Sequence, residues 1–157
     1  MASGLIGEAI LIIASVIVAG SVAGIVLSKV GTFESTVTAT SNAQQDKLLT
    51  KIKIVYASNS TDDDAEIWVK NIGKKPITTL NKIDVYFGPI GAVQRFAYEI
   101  GANDETWEID GGLPTVWNQT DTIQLNLDED SLTKNTTYEV RITAPNGVSD
   151  DYIFSLP

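Results

Sequence analysis

The sequence predicts an α+β protein in which an N-terminal hydrophobic helix precedes an all-β, immunoglobulin-like sandwich. Two observations support this fold class. Residues 9–27 form an uncharged apolar run, and after residue 50 short segments alternate apolar and polar residues between Gly, Pro, Asn and Asp turns. We expect the hydrophobic helix over residues 1–28, a helical stalk or linker over residues 29–50, and the sandwich over residues 51–157.

The apolar run has the length of a membrane span. At about 1.5 Å per helical residue it covers roughly the 30 Å hydrocarbon core of a bilayer. No Lys or Arg precedes it, and Glu8 is the one charged side chain before it. A secretory signal has a basic start and an apolar stretch of roughly 7–15 residues. We therefore expect an uncleaved anchor, surrounded by membrane lipid or by neighbouring helices in a filament.

Small residues in this helix are regularly spaced. Gly20, Gly24 and Ser28 recur every four residues, a pattern that lets two helix backbones approach closely. The alternative is that membrane helices are rich in small residues in any case. Glu8 has three interpretations: a position in the headgroup region, a favourable interaction with the helix N-terminus, or a pairing with the terminal amine of a neighbouring subunit.

The segment after Lys29 contains no Pro, and it continues a helical spacing of three and four residues. This spacing predicts a stalk with one stripe that is suited to pairing with another helix. The Ser and Thr content works against the prediction, because these are poor helix formers. The stripe consists of Val30, Phe33, Val37, Thr40, Gln44 and Leu48.

From Lys51 the apolar period falls to two, which is typical of strands. About eight short strands are expected, as in an immunoglobulin-like sandwich. The residues predicted to face inward in the first three clear strands are Ile52, Ile54 and Tyr56, then Ile67 and Val69, then Ile83, Val85 and Phe87.

The alternation places two aromatic residues on the opposite, outward faces. Trp68 lies between Ile67 and Val69, and Tyr86 lies between Val85 and Phe87. An exposed aromatic side chain on a sandwich is a candidate contact for a partner protein. Trp107 and Trp117 are either core residues or further contacts of this kind.

Composition excludes several function classes. The net charge is −9 and the isoelectric point is about 4.3, so no basic stripe exists to bind nucleic acid. Cys and His are both absent, which removes Ser-His-Asp and Cys-His catalysis and Cys- or His-based metal sites. We expect no catalytic residue, metal or cofactor.

Carboxylates occur in three clusters, at residues 62–64, 128–130 and 150–151. None has the spacing of a calcium-binding EF-hand loop, and we interpret them as solvated turn charge. A carboxylate pair for glycoside hydrolysis stays open by counting alone. Because a small sandwich without His or a phosphate-binding loop is a poor enzyme candidate, we predict a non-enzyme.

Two opposing signals in the sequence indicate on which side of the membrane the β domain lies. Three N-glycosylation sequons, at Asn59, Asn118 and Asn135, favour an extracellular domain and are predicted to lie in turns. Lys29 directly follows the apolar run, and the positive-inside rule would place it in the cytoplasm. Since a single Lys is a weak signal, we expect the β domain outside the cell.

The anchor MASGLIGEAILIIASVIVAGSVAG, followed by a strand, VKNIG, KKPI and another strand, resembles the archaellum accessory proteins of the FlaG and FlaF family, with FlaG the more similar. The resemblance extends through about Phe87. It implies a single-pass protein of the archaeal cytoplasmic membrane whose extracellular sandwich helps to hold the archaellum motor against the surface layer. It also implies self-association and binding to accessory subunits or surface-layer protein.

The runner-up hypothesis is a filament-forming subunit of the pilin or archaellin type. In such a filament the N-terminal helices form the core and the β domains coat the outside. A membrane helix and a filament-core helix select the same apolar residues, so the sequence leaves the choice open.

Overall fold

The computed structural model describes residues 2–101, 105–129 and 131–156. The chain divides into two compact units, Met1–Ala43 and Gln44–Pro157. The first consists of helix α1, which runs without interruption over Ala2–Leu49, so that its last turn belongs to the second unit. The proposed division of this helix at residue 28, between a membrane segment and a stalk, stays a prediction.

Helix α1 tolerates its Ser and Thr content because many of the hydroxyls bond to the helix itself. Each of these donates to the carbonyl three or four residues earlier, at 2.8–3.0 Å, and thereby leaves no polar group unsatisfied. The first Pro of the chain is Pro76, so nothing breaks the helical ladder. The residues are Ser15, Ser21, Thr32, Ser35, Thr36 and Thr40.

The second unit is a β domain with ten strands in its described residues. They are β1 (Ile52–Asn59), β2 (Asp64–Asn71), β3 (Ile77–Thr78), β4 (Asp84–Pro89), β5 (Gln94–Tyr98), β6 (Thr106–Ile109), β7 (Val116–Trp117), β8 (Thr122–Asp128), β9 (Thr137–Thr143) and β10 (Ser149–Ser155). A 3-10 turn, Leu80–Lys82, precedes β4.

Eight strands follow the order β1-β2-β8-β6-β5-β4-β9-β10, and β3 pairs with β7 separately. All neighbours in this order are antiparallel except β5 and β6, which form a short parallel pair. That pair joins the two layers of the sandwich, β1-β2-β8-β6 and β5-β4-β9-β10. The predicted fold class, an N-terminal helix followed by a β-sandwich, is confirmed.

One hydrophobic core fills the sandwich and contains inward residues of both layers. The predicted positions Ile67, Val69, Val85 and Phe87 are all fully buried. Aromatic rings occupy its centre, where Phe87 stacks on the ring of Tyr138 with centroids 5.2 Å apart. Trp107 and Trp117 are both buried, which assigns them to the core.

One predicted inward residue is wrong. The pairing of β1 with β2 shifts between Ile54 and Tyr56, because Val55 forms a β-bulge that has no partner on β2. The bulge reverses the alternation, so that Ala57 is buried and Tyr56 faces outward, 55% exposed. Tyr56 therefore lies directly opposite Trp68 on the outer face.

Candidate interaction surfaces

The first candidate surface is the helix itself. Every side chain described between Gly4 and Ala43 is exposed, including the whole apolar run. A soluble monomer rarely shows a contiguous apolar patch above a few hundred Å². By length and composition this is one helix that is able to cross a membrane. The helix is therefore a candidate surface for contact with lipid or with other helices.

The small residues of the helix lie on one face of it, since a spacing of four residues advances little around the axis. A Cβ added at Gly20 or Gly24 would meet nothing within 4 Å. Glu8 lies beyond the first turn of helix α1, where the attraction of the helix dipole has weakened. The packing roles of Gly20, Gly24, Ser28 and Glu8 otherwise stay predictions.

A second candidate feature is the clasp, the loop of residues 71–75 that holds the end of helix α1. The N–H groups of Lys74 and Lys75 donate to the carbonyl of Leu49, at 2.8 and 3.1 Å. Those of Ile72 and Gly73 donate to the carbonyl of Lys51, both at 2.8 Å. Carbonyls at a helix end have no partner in the helix, and here a loop of the β domain supplies the partners of the Leu49 carbonyl, while Lys51 lies just after the helix.

The side chain of Asn71 stabilises the conformation of the clasp. Its side chain is fully buried and donates to the carbonyls of Lys75 and Trp117, at 3.0 and 3.1 Å, and it accepts from the N–H of Gly73. Gly73 has to be glycine, because a Cβ there would clash with backbone atoms of Leu49 and of the residues after it. Sequence reasoning missed this role, although the VKNIG segment contains both residues.

Side-chain hydrogen bonds and an ion pair also connect the end of helix α1 to the β domain. The Nδ2 of Asn146 donates to the hydroxyl of Thr50 at 2.7 Å, and that hydroxyl donates to the carbonyl of Asp46. The carboxylate of Asp46 pairs with Lys75 at 2.5 Å. The last turn of α1 is thus fixed to the β domain by backbone and side-chain bonds together.

A third candidate surface is the aromatic pair on the outer face of the first layer. The rings of Tyr56 and Trp68 lie 5.2 Å apart, and Trp68 is half-buried. A shallow groove of about 480 Å³ starts at Trp68 and continues past Gln124 to the turn at Asp110–Gly112. The pair is an aromatic platform beside polar groups, with the composition of a protein contact.

A fourth candidate surface is the outer face of the second layer, around Tyr86. This half-buried ring pairs across the strands with Arg95 on one side and Arg141 on the other. Arg95 donates hydrogen bonds to the carboxylate of Asp84, and Arg141 donates one to that of Asp151. These bonds, together with the carboxylate charges, raise the pKa of Arg95 and of Arg141. Tyr86 is therefore flanked by two guanidinium groups that are held by carboxylates. Its role as a partner contact stays a prediction.

The three sequons differ in their surroundings. Asn118 and Asn135 are exposed and lie outside the strands. Asn59 is the last residue of β1 rather than a turn residue, which corrects the prediction for it. Its Nδ2 donates to the carbonyl of Thr61 at 3.1 Å, so the side-chain amide is already engaged.

The carboxylate clusters have ordinary partners. Asp62 pairs with Lys134, Asp64 accepts from the hydroxyl of Thr61, and Asp151 pairs with Arg141. In the described ranges no three carboxylates are arranged to hold a metal ion. Asp130 of the second cluster lies outside the described residues.

Asp150 joins the two outermost strands of the sheet order. Its carboxylate accepts from the backbone N–H of Ile54 on β1 at 2.8 Å and pairs with Lys53 at 3.1 Å. Since Asp150 itself lies on β10, a side chain connects the strands where the ladder has ended.

Comparison with known proteins identifies the class to which this helix and sandwich belong. Two solved structures from Sulfolobus acidocaldarius, the archaellum periplasmic stator protein FlaG and the stator complex of FlaF and FlaG, each match at 28% identity with a TM-score of 0.61. Each match covers 68% of this chain, and covers 100% and 90% of the respective neighbour. No curated protein sequence matches the chain.

A third structure, the archaeal flagellin FlaB1 from Methanocaldococcus jannaschii, has 13% identity and a TM-score of 0.55, over 69% of this chain and 90% of that one. This likeness shows the fold alone. The class is therefore that of archaellum structural proteins with an apolar helix and a β-sandwich. The model of the archaeal-type flagellin family matches residues 2–154, and the chain belongs to that family.

Proposed function

We propose that this chain is a membrane-anchored structural subunit of the archaellum motor, with its helix in the cytoplasmic membrane and its sandwich outside the cell. The observation that carries the proposal is the likeness to the stator protein FlaG, which matches over its whole length at 28% identity. The exposed apolar helix supplies the anchor, and the sandwich supplies surfaces for partner subunits or the surface layer.

The clasp gives this proposal a mechanical basis. A subunit that resists torque has to pass force from its anchor to its outer domain without the joint giving way. Four backbone N–H groups on the carbonyls of Leu49 and Lys51, with Asn71 and Asn146 beside them, hold the last turn of the helix to the β domain. Partner contacts are assigned to the outward aromatics Trp68 and Tyr86.

A second candidate function is a filament subunit, and the family match favours it. The family is named for flagellins, and the match includes the apolar helix as well as the sandwich. In a filament the helices would pack on one another instead of on lipid. The FlaG likeness is stronger in identity and TM-score than the flagellin likeness, which is why the anchored subunit comes first.

Shearing of whole cells separates the two functions. The chain is quantified by mass spectrometry in the released filaments and in the retained envelopes. An anchored subunit stays with the envelopes, and it leaves them only when detergent is added. Abundance in the sheared filaments would contradict the anchored subunit and support the filament subunit.

The side of the membrane is tested with single cysteines, because the natural chain contains none. Ser149→Cys places a thiol at an exposed site on β10, and Gly4→Cys places one on the other side of the apolar run. A maleimide that cannot cross membranes should label Ser149→Cys in intact cells, and Gly4→Cys only after permeabilisation. The reverse pattern would place the sandwich inside the cell.

Glycosylation is proposed at Asn118 and Asn135 before Asn59, because their side chains are exposed whereas the Asn59 amide is engaged. Intact-mass measurement of the natural chain and of Asn118→Gln, Asn135→Gln and Asn59→Gln checks this order. The first two variants should lose glycan mass, and the third should not.

A further inference from the structure

The charges of helix α1 are sparse and specifically spaced. Between Glu8 and Asp46 the only charged residues are Lys29 and Glu34. Both are exposed, and neither forms an ion pair with another residue of the described ranges. Five residues turn a helix to positions about 140° apart, so the two side chains do not meet on their own helix.

The apolar residues around them follow a heptad. With Val30 at position a, Phe33 falls at d and Val37 at the next a. In the same assignment Lys29 occupies g and Glu34 occupies e, the two positions that flank the seam of a coiled coil. The charges therefore stand beside the apolar stripe, where they would face a second helix.

In a parallel coiled coil, a g residue of one helix faces the e residue five positions later on the other. That is the spacing of Lys29 and Glu34. In an antiparallel pair g faces g and e faces e, so Lys29 of one helix would not meet Glu34 of the other. The charge pattern thus selects both the partner, which is a second copy of this chain, and its direction.

We propose that residues 29–43 of two copies form a parallel coiled coil, with Val30, Phe33 and Val37 in the seam and reciprocal Lys29–Glu34 ion pairs that fix the register. The inference deepens the proposed function, on which it rests for the common orientation: copies anchored in one membrane enter it the same way up, so their helices meet in parallel.

The exposure of the seam agrees with this partner. Val30, Phe33 and Val37 are 56%, 71% and 49% exposed, so the chain itself leaves them uncovered. Thr40 is the next d residue, and its hydroxyl already donates to the carbonyl of Thr36 at 2.9 Å. Burial of Thr40 in a seam would therefore leave no unsatisfied donor.

This seam is distinct from the glycine face, which is the face of helix α1 that carries the regularly spaced small residues. Gly20, Gly24 and Ser28 are centred roughly 150° around the helix axis from Val30, Phe33 and Val37. Packing through the small residues and packing through the heptad are consequently different arrangements of the same helix. Cysteine cross-linking distinguishes them, because each face can be marked separately in a chain that has no natural Cys.

The first experiment uses the full-length chain in lipid vesicles. Val37→Cys marks the seam, and Ser35→Cys, its matched control, marks the glycine face at nearly the same height. Disulfide formation needs Cα atoms about 4.4–6.8 Å apart, so we expect Val37→Cys to form disulfide-linked dimers roughly tenfold faster than Ser35→Cys. Equal rates, or faster linkage through Ser35→Cys, would overturn the proposed seam.

The second experiment tests the ion pairs on the Val37→Cys background. Lys29→Glu or Glu34→Lys alone converts both reciprocal pairs into repulsions, and each should slow cross-linking about fivefold to tenfold at low salt. The double reversal, Lys29→Glu with Glu34→Lys, restores opposite charges and should restore the rate. Single reversals without effect, or a double reversal that fails to rescue, would overturn the assigned register.

These results are independent of where the protein works. Cross-linking in vesicles reports on the helix pair, whereas shearing of cells reports on anchor against filament. If the chain is found in filaments while Val37→Cys still cross-links, the proposed function fails and the helix pair stands. If the chain stays in the envelope and the reversals have no effect, the anchor stands and the pairing fails.

Discussion

The two units of this chain differ in what their own residues cover. In the helical unit Ile10 is 61% exposed and Leu11 is 72% exposed, whereas in the sandwich Leu125 and Val140 are fully buried. The β domain thus completes its core from its own strands. The helix has no core of its own, and the rest of the chain leaves its apolar side chains uncovered. The same type of substitution should therefore change the free energy of unfolding strongly in the sandwich and very little in the helix.

The largest contrast is expected from truncation of apolar residues. Leu125→Ala should lower the free energy of unfolding of the sandwich by about 2–5 kcal/mol, because it leaves a cavity in the core. Ile17→Ala in the helix should leave that free energy unchanged. Denaturant unfolding of the full chain in detergent, followed by Trp fluorescence, measures both. A comparable loss in the helix variant would contradict the independence of the two units.

The clasp should also respond to substitution. Asn71→Ala removes the amide group that donates to the carbonyls of Lys75 and Trp117 and accepts from the N–H of Gly73. Because buried polar groups then lack these partners, the free energy of unfolding should fall by about 1–3 kcal/mol. Asn42→Ala, on the exposed helix, is the matched control and should cost little.

Hydrogen exchange shows where the clasp variant acts. The amides of residues 72–75 should exchange faster in Asn71→Ala than in the natural chain, because Asn71 shapes the loop that donates them. Unchanged protection of these amides, together with unchanged stability, would show that the helix end is held without Asn71.

A further contrast is expected between the surface and the core tryptophans. Trp68 stacks on Tyr56 at the surface, so Trp68→Ala should cost about 1 kcal/mol or less. Trp117→Ala removes a buried ring whose Nε1 donates to the carbonyl of Asp121, and about 3–5 kcal/mol is expected. Iodide should quench Trp68 fluorescence but not that of Trp117. Equal costs would remove Trp68 from the list of surface contacts.

The smallest effect is expected at the surface ion pairs. The Nε of Arg141 donates to the carboxylate of Asp151 at 2.5 Å, and this bond raises the pKa of Arg141. A raised pKa gives stability that is present at every pH below the ordinary value and is lost only in strongly alkaline solution. Arg141→Gln should leave the unfolding midpoint unchanged near neutral pH, since exposed pairs contribute little. A clear shift would indicate that Arg141 has a further role.

Much of the fold can be predicted from the sequence because burial repeats with the period of each element. Ile67, Val69, Val85 and Phe87 were correctly assigned to the core from alternation alone. Tyr56 was not, because the bulge at Val55 depends on the fit of β1 to β2, which a single strand does not encode. The parallel pairing of β5 with β6 is a tertiary contact and leaves no local pattern.

The interaction surfaces were predictable to different degrees. The helix stripe and the outward positions of Trp68 and Tyr86 follow from spacing. The clasp does not, since the burial of Asn71 and the approach of Leu49 to Gly73 join segments more than twenty residues apart. The signal that was available is the VKNIG segment, in which an Asn and a Gly follow an alternating strand.

The carboxylate of Asp150 has a consequence for the border of the sheet. An unpaired strand at the end of a sheet is a template on which a strand of another chain can add. Asp150 occupies the N–H of Ile54 that an incoming strand would need, and it places a charge on this border. At this position the border of β1 is therefore closed to strand addition by another chain.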